Sequence, residues 1–459
     1  MFQPKVAFVV FGVHKDGVKD ALGQPFIDEQ VIENAKASLR KAGAELVVED
    51  LILATKQESR ACFSRLKMIP DLDAVVLFAG TWFWAAHLVG MLRDFTLTGK
   101  GLVLWVQPGS QGWRTVGGVE LHGALMEVSI PHRYVYGDSG DPGMIGQILA
   151  YCRASHVRQQ LSMSTAGVFG GRGLGQTTGA ADPSQWMKVF GVDIDTRDTT
   201  QLIETAKQVS PAELDKAKKD IQALFSNPMP QDEGAERCIR LYLAIKKVIA
   251  KNGWDFYSIQ GLPGLADDYV GVNFVQSLML EDRVGTSSLG DFNTLMTVKL
   301  VNDFSADPAY YGDLQHVDKA SNEIKIITGS VPPSLAGKVG PAKFAPRGLP
   351  SEGSAGGLSV DLVCKAGEGV LAHLGRRGGD FEMLIVRATV FEPPAGQIEA
   401  RRQECGWPTW PHAFITAHCD INRFLAAAHS QYIVLGYGEH LYDDLLAFCE
   451  LAGIRAITP

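Results

Sequence analysis

The sequence lacks the short motifs that identify a redox, metal or nucleophilic site by themselves. It contains seven cysteines, an odd number, and no two of them form a CxxC pair. This pattern favours scattered reduced thiols in a cytoplasmic enzyme over a disulfide framework. The chain also has no HxxxH or HExxH helix and no GxSxG segment. The usual short metal signatures and the serine nucleophile elbow are therefore excluded.

Long runs of one residue class are missing too. No Lys/Arg-rich run occurs, and the net charge is −8 with a pI of about 5.8, so no nucleic-acid footprint is present. An anionic substrate would have to be bound by local Arg or Lys residues. No window of 18 or more apolar residues exists, and the first residues, MFQPKVAFVVFG, form no signal peptide. We therefore expect a cytoplasmic protein without a membrane span.

The composition is that of a globular chain. Hydrophobic residues make up 46% of the 459 residues and charged residues 20%, which is enough apolar material for a large core without disulfide or metal support. A chain of this length is expected to form two or three domains.

The first third alternates strand and helix patterns. The continuous apolar runs KVAFVVFG (5–12), DAVVLFAG (73–80) and GLVLWVQPG (101–109) end in glycine and alternate with helical segments. Such runs predict buried parallel strands in a doubly wound α/β domain over residues 1–155. Ligands bind beyond the carboxyl ends of such strands, where GTWFWAAH places Trp82 and Trp84. These aromatic rings either stack on a sugar or close a neighbouring subunit's pocket, or they pack between domains or subunits.

Two further domains are predicted. Residues 156–312 contain a second α/β pattern, and their glycine-rich stretch 170–179 either cradles a phosphate or forms a loop near a domain interface. Residues 313–459 carry short alternating strands that predict antiparallel β structure, a sandwich or a barrel, with closing helix and strand segments. The irregular stretch 332–357 is long enough to be functional or mobile.

Asp291 has two interpretations. It follows Gly290 and opens a helix, so it is either an N-cap or a carboxylate held at a site. The nearby acids Asp267, Asp268 and Glu281 are most simply solvated. The histidines His316, His412 and His429 are each isolated, which is more typical of structural residues.

Several segments together resemble the L-fucose isomerase and L-arabinose isomerase superfamily, especially its shorter fucose-isomerase-like members. The matching segments are ALGQPFIDEQVIENAKASLRKAGAELV, VVLFAGTWFWAAH, IQGLPGLADD, GDFNTLMTVKL, YYGDLQHVD and the tail from WPTWPHAFITAHCD to AAAHSQYIVLGYGEHLYDDLLAFCELAGI. The resemblance implies two α/β domains followed by a domain with an antiparallel barrel. It implies aldose–ketose isomerisation through an enediol, assisted by a divalent metal, usually Mn²⁺ held by two carboxylates and one histidine. It also implies a homo-oligomer, a trimer or hexamer, whose site is capped by another subunit's first domain.

The resemblance assigns roles to particular residues. Asp291 and His429 match metal ligands, with Asp291 also catalytic. Gly264 stands where the family's second carboxylate is expected, and Leu289 where many relatives have Glu. Glu281 is then a candidate to supply the missing catalytic acid, as are Asp267 and Asp268.

Substrate contacts follow in the same way. Trp82 matches an aromatic residue of the sugar pocket, and His412 is expected to face the same cleft. Arg347, Arg376 and Arg377 either recognise an anionic substituent of the sugar or form a solvated rim. Two alternatives to the isomerase stay open: a non-catalytic sugar-binding relative that lost the metal site, and a lyase or epimerase acting on a sugar acid.

Overall fold

The structure is a computed structural model that describes residues 2–13, 27–49, 51–109, 113–173, 178–347, 356–404, 407 and 409–459. The chain divides into two compact units. The first consists of Met1–Leu161 with Asp443–Ala452, and the second consists of Ser162–Tyr442 with Gly453–Pro459. In the described residues no helix is both long and apolar enough to traverse a bilayer.

The first unit is built on a five-stranded parallel sheet of order β2-β1-β3-β4-β5. Its strands are β1 (Lys5–Phe11), β2 (Glu45–Val48), β3 (Ala74–Ala79), β4 (Gly101–Val106) and β5 (Arg133–Tyr136). Its helices are α1 (Glu29–Lys41), α2 (Lys56–Lys67), α3 (Val89–Thr96), α4 (Arg114–Glu127) and α5 (Pro142–Leu161). Strands β3 and β4 are buried along their whole length. The continuous apolar runs thus form buried parallel strands, as the sequence predicts.

The second unit contains a four-stranded parallel sheet of order β7-β6-β8-β9. Its strands are β6 (Thr165–Phe169), β7 (Asp193–Arg197), β8 (Phe256–Ile259) and β9 (Thr286–Ser288). The helices along this part are α6 (Pro183–Phe190), α7 (Thr199–Lys207), α8 (Pro211–Gln222), α9 (Glu233–Asn252), α10 (Ala266–Asp268), α11 (Asn273–Glu281) and α12 (Phe292–Phe304).

The same unit contains a seven-stranded mixed sheet and a separate pair of strands. The strands are β10 (Tyr310–Asp318), β11 (Glu323–Ile327), β12 (Lys343–Pro346), β13 (Leu358–Asp361), β14 (Gly367–Arg377), β15 (Asp380–Phe391), β16 (His412–Ala417), β17 (Tyr432–Tyr437) and β18 (Arg455–Ile457). The helices are α13 (Ile398–Gln403), α14 (Ile421–Ala427) and α15 (Leu441–Ala452), and most of α15 belongs to the first unit. The sheet order is β14-β17-β10-β11-β16-β15-β18, and β12 pairs with β13. Because β14 also pairs with β15, the pairing is cyclic, as a barrel would require. The barrel itself stays a prediction.

Residue 312, expected to separate two domains, lies inside the second compact unit. The physical reason is helix α12, which packs against β8 and β9 of the parallel sheet and against β14 and β17 of the mixed sheet. Most residues of this helix are buried, as expected for a helix that is covered by both sheets. The continuous part of the first compact unit ends at Leu161, the last residue of α5. The three predicted domains, residues 1–155, 156–312 and 313–459, stay a prediction.

Candidate functional site

A cleft of about 370 Å³ lies within the second unit, at the carboxyl ends of β8 and β9. Gly261 and Leu262 follow β8, Ser288 ends β9, and Leu289 comes directly after it. Neighbouring parallel strands deliver their following loops to one edge of the sheet, which is where ligands bind in α/β proteins. Residues of β10 and β11 line the cleft too, together with Trp407 and Trp410.

Arg347 supplies a positive charge to this cleft although it is only 5% exposed. Its Nε donates to Asn273 Oδ1 at 3.3 Å. Two glycines make room for this pair. A Cβ on Gly271 would lie 2.3 Å from Cδ and Nε of Arg347, and a Cβ on Gly329 would lie 2.2 Å from Nδ2 of Asn273. The absence of a side chain at Gly271 and Gly329 therefore leaves the space that Arg347 and Asn273 occupy.

Two tryptophans form an aromatic wall of the cleft. The rings of Trp407 and Trp410 are stacked with centroids 5.1 Å apart. The Nε1–H of Trp410 donates to the backbone oxygen of Arg347 at 2.9 Å, which ties the wall to the charged group. An aromatic face beside a fixed cation suits a ligand with an apolar sugar face and an anionic substituent.

His412, expected to face the cleft, is fully buried behind this wall. Its Nε2–H donates to the backbone oxygen of Trp407 at 3.0 Å. Burial lowers the pKa of His412 to about 4, so the imidazole is neutral near pH 7. His412 thus contacts Trp407 from a buried position and is not among the residues that line the cleft. Its role in substrate binding stays a prediction.

Asp313 brings a carboxylate to the cleft from the middle of β10. Its backbone pairs with Ile327 on one side and with Tyr432 on the other, so the strand is held from both edges. Burial and, second, the charge of Asp313 raise the pKa of the Tyr432 phenol far above its usual value. Burial likewise raises the pKa of Tyr311. Both phenols are therefore neutral near pH 7.

Asp291 caps α12. Its Oδ1 accepts from the Thr294 N–H and its Oδ2 accepts from the Thr294 hydroxyl, both at 2.9 Å. The side chain is 1% exposed, and a Cβ on Gly179 would lie 2.3 Å from its Oδ1. The structure shows the N-cap, and the catalytic and metal-binding roles of Asp291 stay predictions. The lining residue nearest to it along the chain is Leu289, two positions earlier.

His429 belongs to a different polar cluster. Its Nε2 lies 2.6 Å from Oε1 of Glu382, a carboxylate that is only 1% exposed. Glu382 also accepts from Nε of Arg377 at 2.9 Å and from Arg455. Arg377, a candidate for anion recognition, is thus engaged with a protein carboxylate and does not line the cleft.

A relay of hydrogen bonds and ring contacts leads from Asp291 towards His429. The Thr294 hydroxyl has one proton and gives it to Asp291, so Nε2–H of His373 donates to this hydroxyl at 3.2 Å. Burial lowers the pKa of His373 to about 3. The rings of His373 and His429 are stacked with centroids 6.4 Å apart. Thr294 and His373 thus lie between Asp291 and His429, the two predicted metal ligands.

The side chains around Asp291 and His429 do not fit the metal ligands that the resemblance implies, which are two carboxylates and one histidine. Across the described ranges, no three His, Cys, Asp or Glu side chains are grouped so that they could hold a metal ion. Gly264 and Leu289 offer no oxygen donor from their side chains, the oxygens of Asp291 bind Thr294, and Nε2 of His429 binds Glu382. Mn²⁺ stays a prediction of the resemblance, and no chemical step below depends on it.

The remaining candidates are not among the residues that line this cleft. Glu281 lines a separate groove beside α8 and α9, where its Oε2 accepts from the Ser334 N–H at 2.9 Å. Trp82 and Trp84 belong to the first unit, with ring centroids 4.2 Å apart. Trp82 Nε1 donates to Glu120 at 2.8 Å, and Trp84 is 52% exposed.

The glycine-rich stretch 170–179 is engaged in packing where it is described. The N–H of Gly171 donates to Gln260 Oε1, and the N–H of Gly173 donates to the Leu289 oxygen, each at 2.9 Å. These donors are used within the protein, which favours the loop interpretation over a phosphate cradle. Residues 174–177 lie outside the described residues.

Sequence reasoning missed Asp313, Asn273 and the tryptophan pair. The segments YYGDLQHVD and WPTW contain three of these residues, but their role depends on strand register and on contacts between distant segments. The alternation of Asp313 and Gln315 on one strand face was the available signal, since both line the cleft.

The chain is similar in sequence to a sugar isomerase. It is 22% identical over 336 residues to a sulfoquinovose isomerase from Clostridium sp. (strain MSTE9), covering 70% of this chain and 71% of that protein. No family model matches the chain.

Two solved structures of sugar-binding proteins are also similar in part. One is an ABC transporter periplasmic solute binding protein from Actinobacillus succinogenes 130z with bound D-allose, at 12% identity, 65% and 89% coverage of the two chains and a TM-score of 0.20. The other is GanP, a glucose-galactose binding protein from Geobacillus stearothermophilus, at 11% identity, 65% and 90% coverage and a TM-score of 0.18. The chain is thus a distant relative of a sugar isomerase by its sequence.

Proposed function

We propose that this protein is an aldose–ketose isomerase for an anionic sugar derivative, and that the cleft around Arg347 binds the substrate. The observation that carries the proposal is the buried arginine beside a tryptophan wall, in a chain similar to an isomerase of a sulfonated sugar. The protein is proposed to act in the cytoplasm as a homo-oligomer, a trimer or hexamer.

The chemistry of Arg347 suits a sulfonate, carboxylate or phosphate group. A guanidinium offers N–H donors in a planar fork that matches such groups, and it stays charged at any physiological pH. Because Arg347 is already largely removed from water, a bound anion costs it little further desolvation. Its contact with Asn273 fixes the plane of the guanidinium before the ligand arrives.

The tryptophan wall would bind the other end of the ligand. A sugar ring presents C–H groups on its face, which pack against an indole, while its hydroxyl groups need polar partners. Asn273, Gln315 and Thr328 line the same cleft and offer such partners. One cleft thereby combines recognition of the anion, the ring face and the hydroxyl groups.

A non-catalytic sugar-binding protein is the second candidate. The observation in its favour is that the described His, Cys, Asp and Glu side chains do not form the metal site of the family that the sequence resembles. Such a protein would bind the same anionic sugars in the same cleft without converting them.

The experiment is an isomerisation assay followed by NMR, with sulfoquinovose, glucose 6-phosphate and glucose as substrates. We expect ketose formation from an anionic sugar at a higher kcat/KM than from glucose. Arg347→Met should lower this preference about 10- to 150-fold, because a hydrogen-bonded charged contact contributes about 1.5–3 kcal/mol. The matched control is Arg377→Met, which removes an arginine outside the cleft.

Three outcomes decide between the candidates. Conversion of an anionic sugar that depends on Arg347 supports the isomerase. Tight binding of sulfoquinovose without conversion supports the binding protein. Equal turnover of glucose and the anionic sugars, or a preference lost in Arg377→Met but kept in Arg347→Met, contradicts the assignment of Arg347.

A further inference from the structure

We propose that Asp313 is the catalytic carboxylate that transfers the proton between C1 and C2 of the sugar bound in this cleft. This inference rests on the proposed function and adds to it the residue that performs the proton transfer.

The position of Asp313 carries the proposal. Of the residues described along this cleft, Asp313 alone has a carboxylate. The cleft is also lined by Leu262 and Leu289, which belong to the two segments where relatives are expected to supply carboxylates. Asp313 on the mixed sheet therefore lines the same cleft as the two segments of the parallel sheet in which the family's carboxylates are expected.

The backbone holds this carboxylate firmly. Asp313 pairs with Ile327 in β11 and with Tyr432 in β17, so its strand is fixed on both edges. The register of β10 against β11 shifts just beyond it, between Leu314 and His316. Bulges of this kind occur next to active sites, where they turn side chains towards a ligand. A base on a doubly paired strand is better positioned than one on a free loop.

The other polar side chains around Asp313 are poorly suited to exchange a proton with the sugar. The buried phenols of Tyr311 and Tyr432 have raised pKa values and stay protonated. Arg347 carries a permanent positive charge. Gln315, Thr328 and Asn273 cannot accept a proton from carbon at neutral pH. The half-buried Asp313 is the group in this lining that can be a base in one step and an acid in the next.

The reaction balances with this single carboxylate and solvent water. Asp313 removes the proton on C2, the electrons of the C2–H bond form the C1=C2 bond, and the carbonyl oxygen on C1 takes a proton from water. The resulting enediol then loses its O2–H proton to water, and that electron pair forms the C2=O bond. The electrons of the C1=C2 bond take the proton back from Asp313 at C1. No external oxidant is required, and Asp313 returns to its initial state.

The test compares the full-length protein with Asp313→Asn, using sulfoquinovose in D₂O. We expect kcat and the exchange of the C2 proton to fall by about 10²- to 10⁴-fold, the usual contribution of general acid–base catalysis. The KM and the thermal midpoint should stay close to those of the wild type. Asp318→Asn, on the same strand outside the cleft, is the control and should keep wild-type turnover.

Two results would overturn the inference in different ways. If the wild type converts sulfoquinovose and Asp313→Asn keeps its kcat and C2 exchange, the proton-transfer role is wrong and the isomerase stands. If the wild type converts neither sulfoquinovose nor glucose 6-phosphate, both proposals fail. Should Asp313→Asn not fold, Asp313→Glu keeps the charge and moves the carboxylate by one methylene. A wild-type kcat in that variant would then contradict the role.

Discussion

Gly271→Ala offers a way to move Arg347 without removing its charge. The added Cβ would lie 2.3 Å from Cδ and Nε and 2.7 Å from Cζ of the arginine. Non-bonded heavy atoms rest at about 3.5–4.0 Å, so the side chain must shift by about 1 Å. Its hydrogen bond to Asn273, 3.3 Å long in the wild type, is then expected to break.

The expected magnitude has two parts. Inserting one methyl group into a packed site costs about 1–3 kcal/mol of the free energy of unfolding. A 1 Å displacement of a substrate-positioning group can lower kcat/KM by about 10²-fold. We therefore expect kcat/KM for sulfoquinovose to fall about 10- to 100-fold, whereas the value for glucose, which has no anionic group, should change little.

The two parts are measured separately. Urea denaturation gives the free energy of unfolding, and the slope m should stay constant because the folded state keeps its compactness. Isomerisation of both sugars gives the substrate preference. Gly264→Ala is the matched control, because a Cβ there meets no atom within 4 Å.

The reasoning is refuted if Gly271→Ala destabilises the protein as expected and yet keeps the wild-type preference for the anionic sugar. Arg347 would then be a structural residue whose position does not affect the substrate. Equal effects of the two glycine variants would also refute it, since only one of them crowds Arg347.

Four further predictions concern stability, metal content and assembly. Because burial lowers the pKa of His412 from 6.5 to about 4, its contribution to the free energy of unfolding is complete above pH 6.5 and is lost as the pH falls towards 4. Urea titrations of the wild type should show that the free energy of unfolding falls by about 2 kcal/mol through this group between pH 7 and pH 5. The variant His412→Gln should lose less stability over the same pH range. Asp291→Ala should cost about 0.5–2 kcal/mol in the same assay, as for other N-caps, and Asp291→Ser should recover most of it; a loss of turnover in the stable Ser variant would show a role in the reaction. Since the described donors do not form a metal set, dialysis against a chelator should leave turnover unchanged, and activity that is lost and then restored by Mn²⁺ would contradict this. Light scattering should give a trimer or hexamer, which would cover the exposed apolar side chains of Trp84, Val116 and Met126, and a monomer would contradict it.

Much of the architecture is readable from local pattern. The apolar runs of β1, β3 and β4 predict buried parallel strands because a strand covered on both faces needs apolar residues at every position. The helix from Asp28, whose side chain accepts from Gln30 and Val31, follows from a capping residue and a repeated apolar face. These features depend on neighbours within a few residues.

The site depends on neighbours that are far apart along the chain. Asn273 and Arg347 are 74 residues apart, and their contact exists because two glycines leave space for them. The sequence by itself determined the strand and helix segments, the presence of a candidate arginine at position 347 and the absence of carboxylates at positions 264 and 289. Only the tertiary structure decided that Asp313 shares a cleft with Arg347, that His412 lies behind Trp407, and that Asp291 and His429 are bound to protein groups. The reason is physical: periodicity records which face of an element is buried, but strand pairing and side-chain packing determine which distant residues meet there.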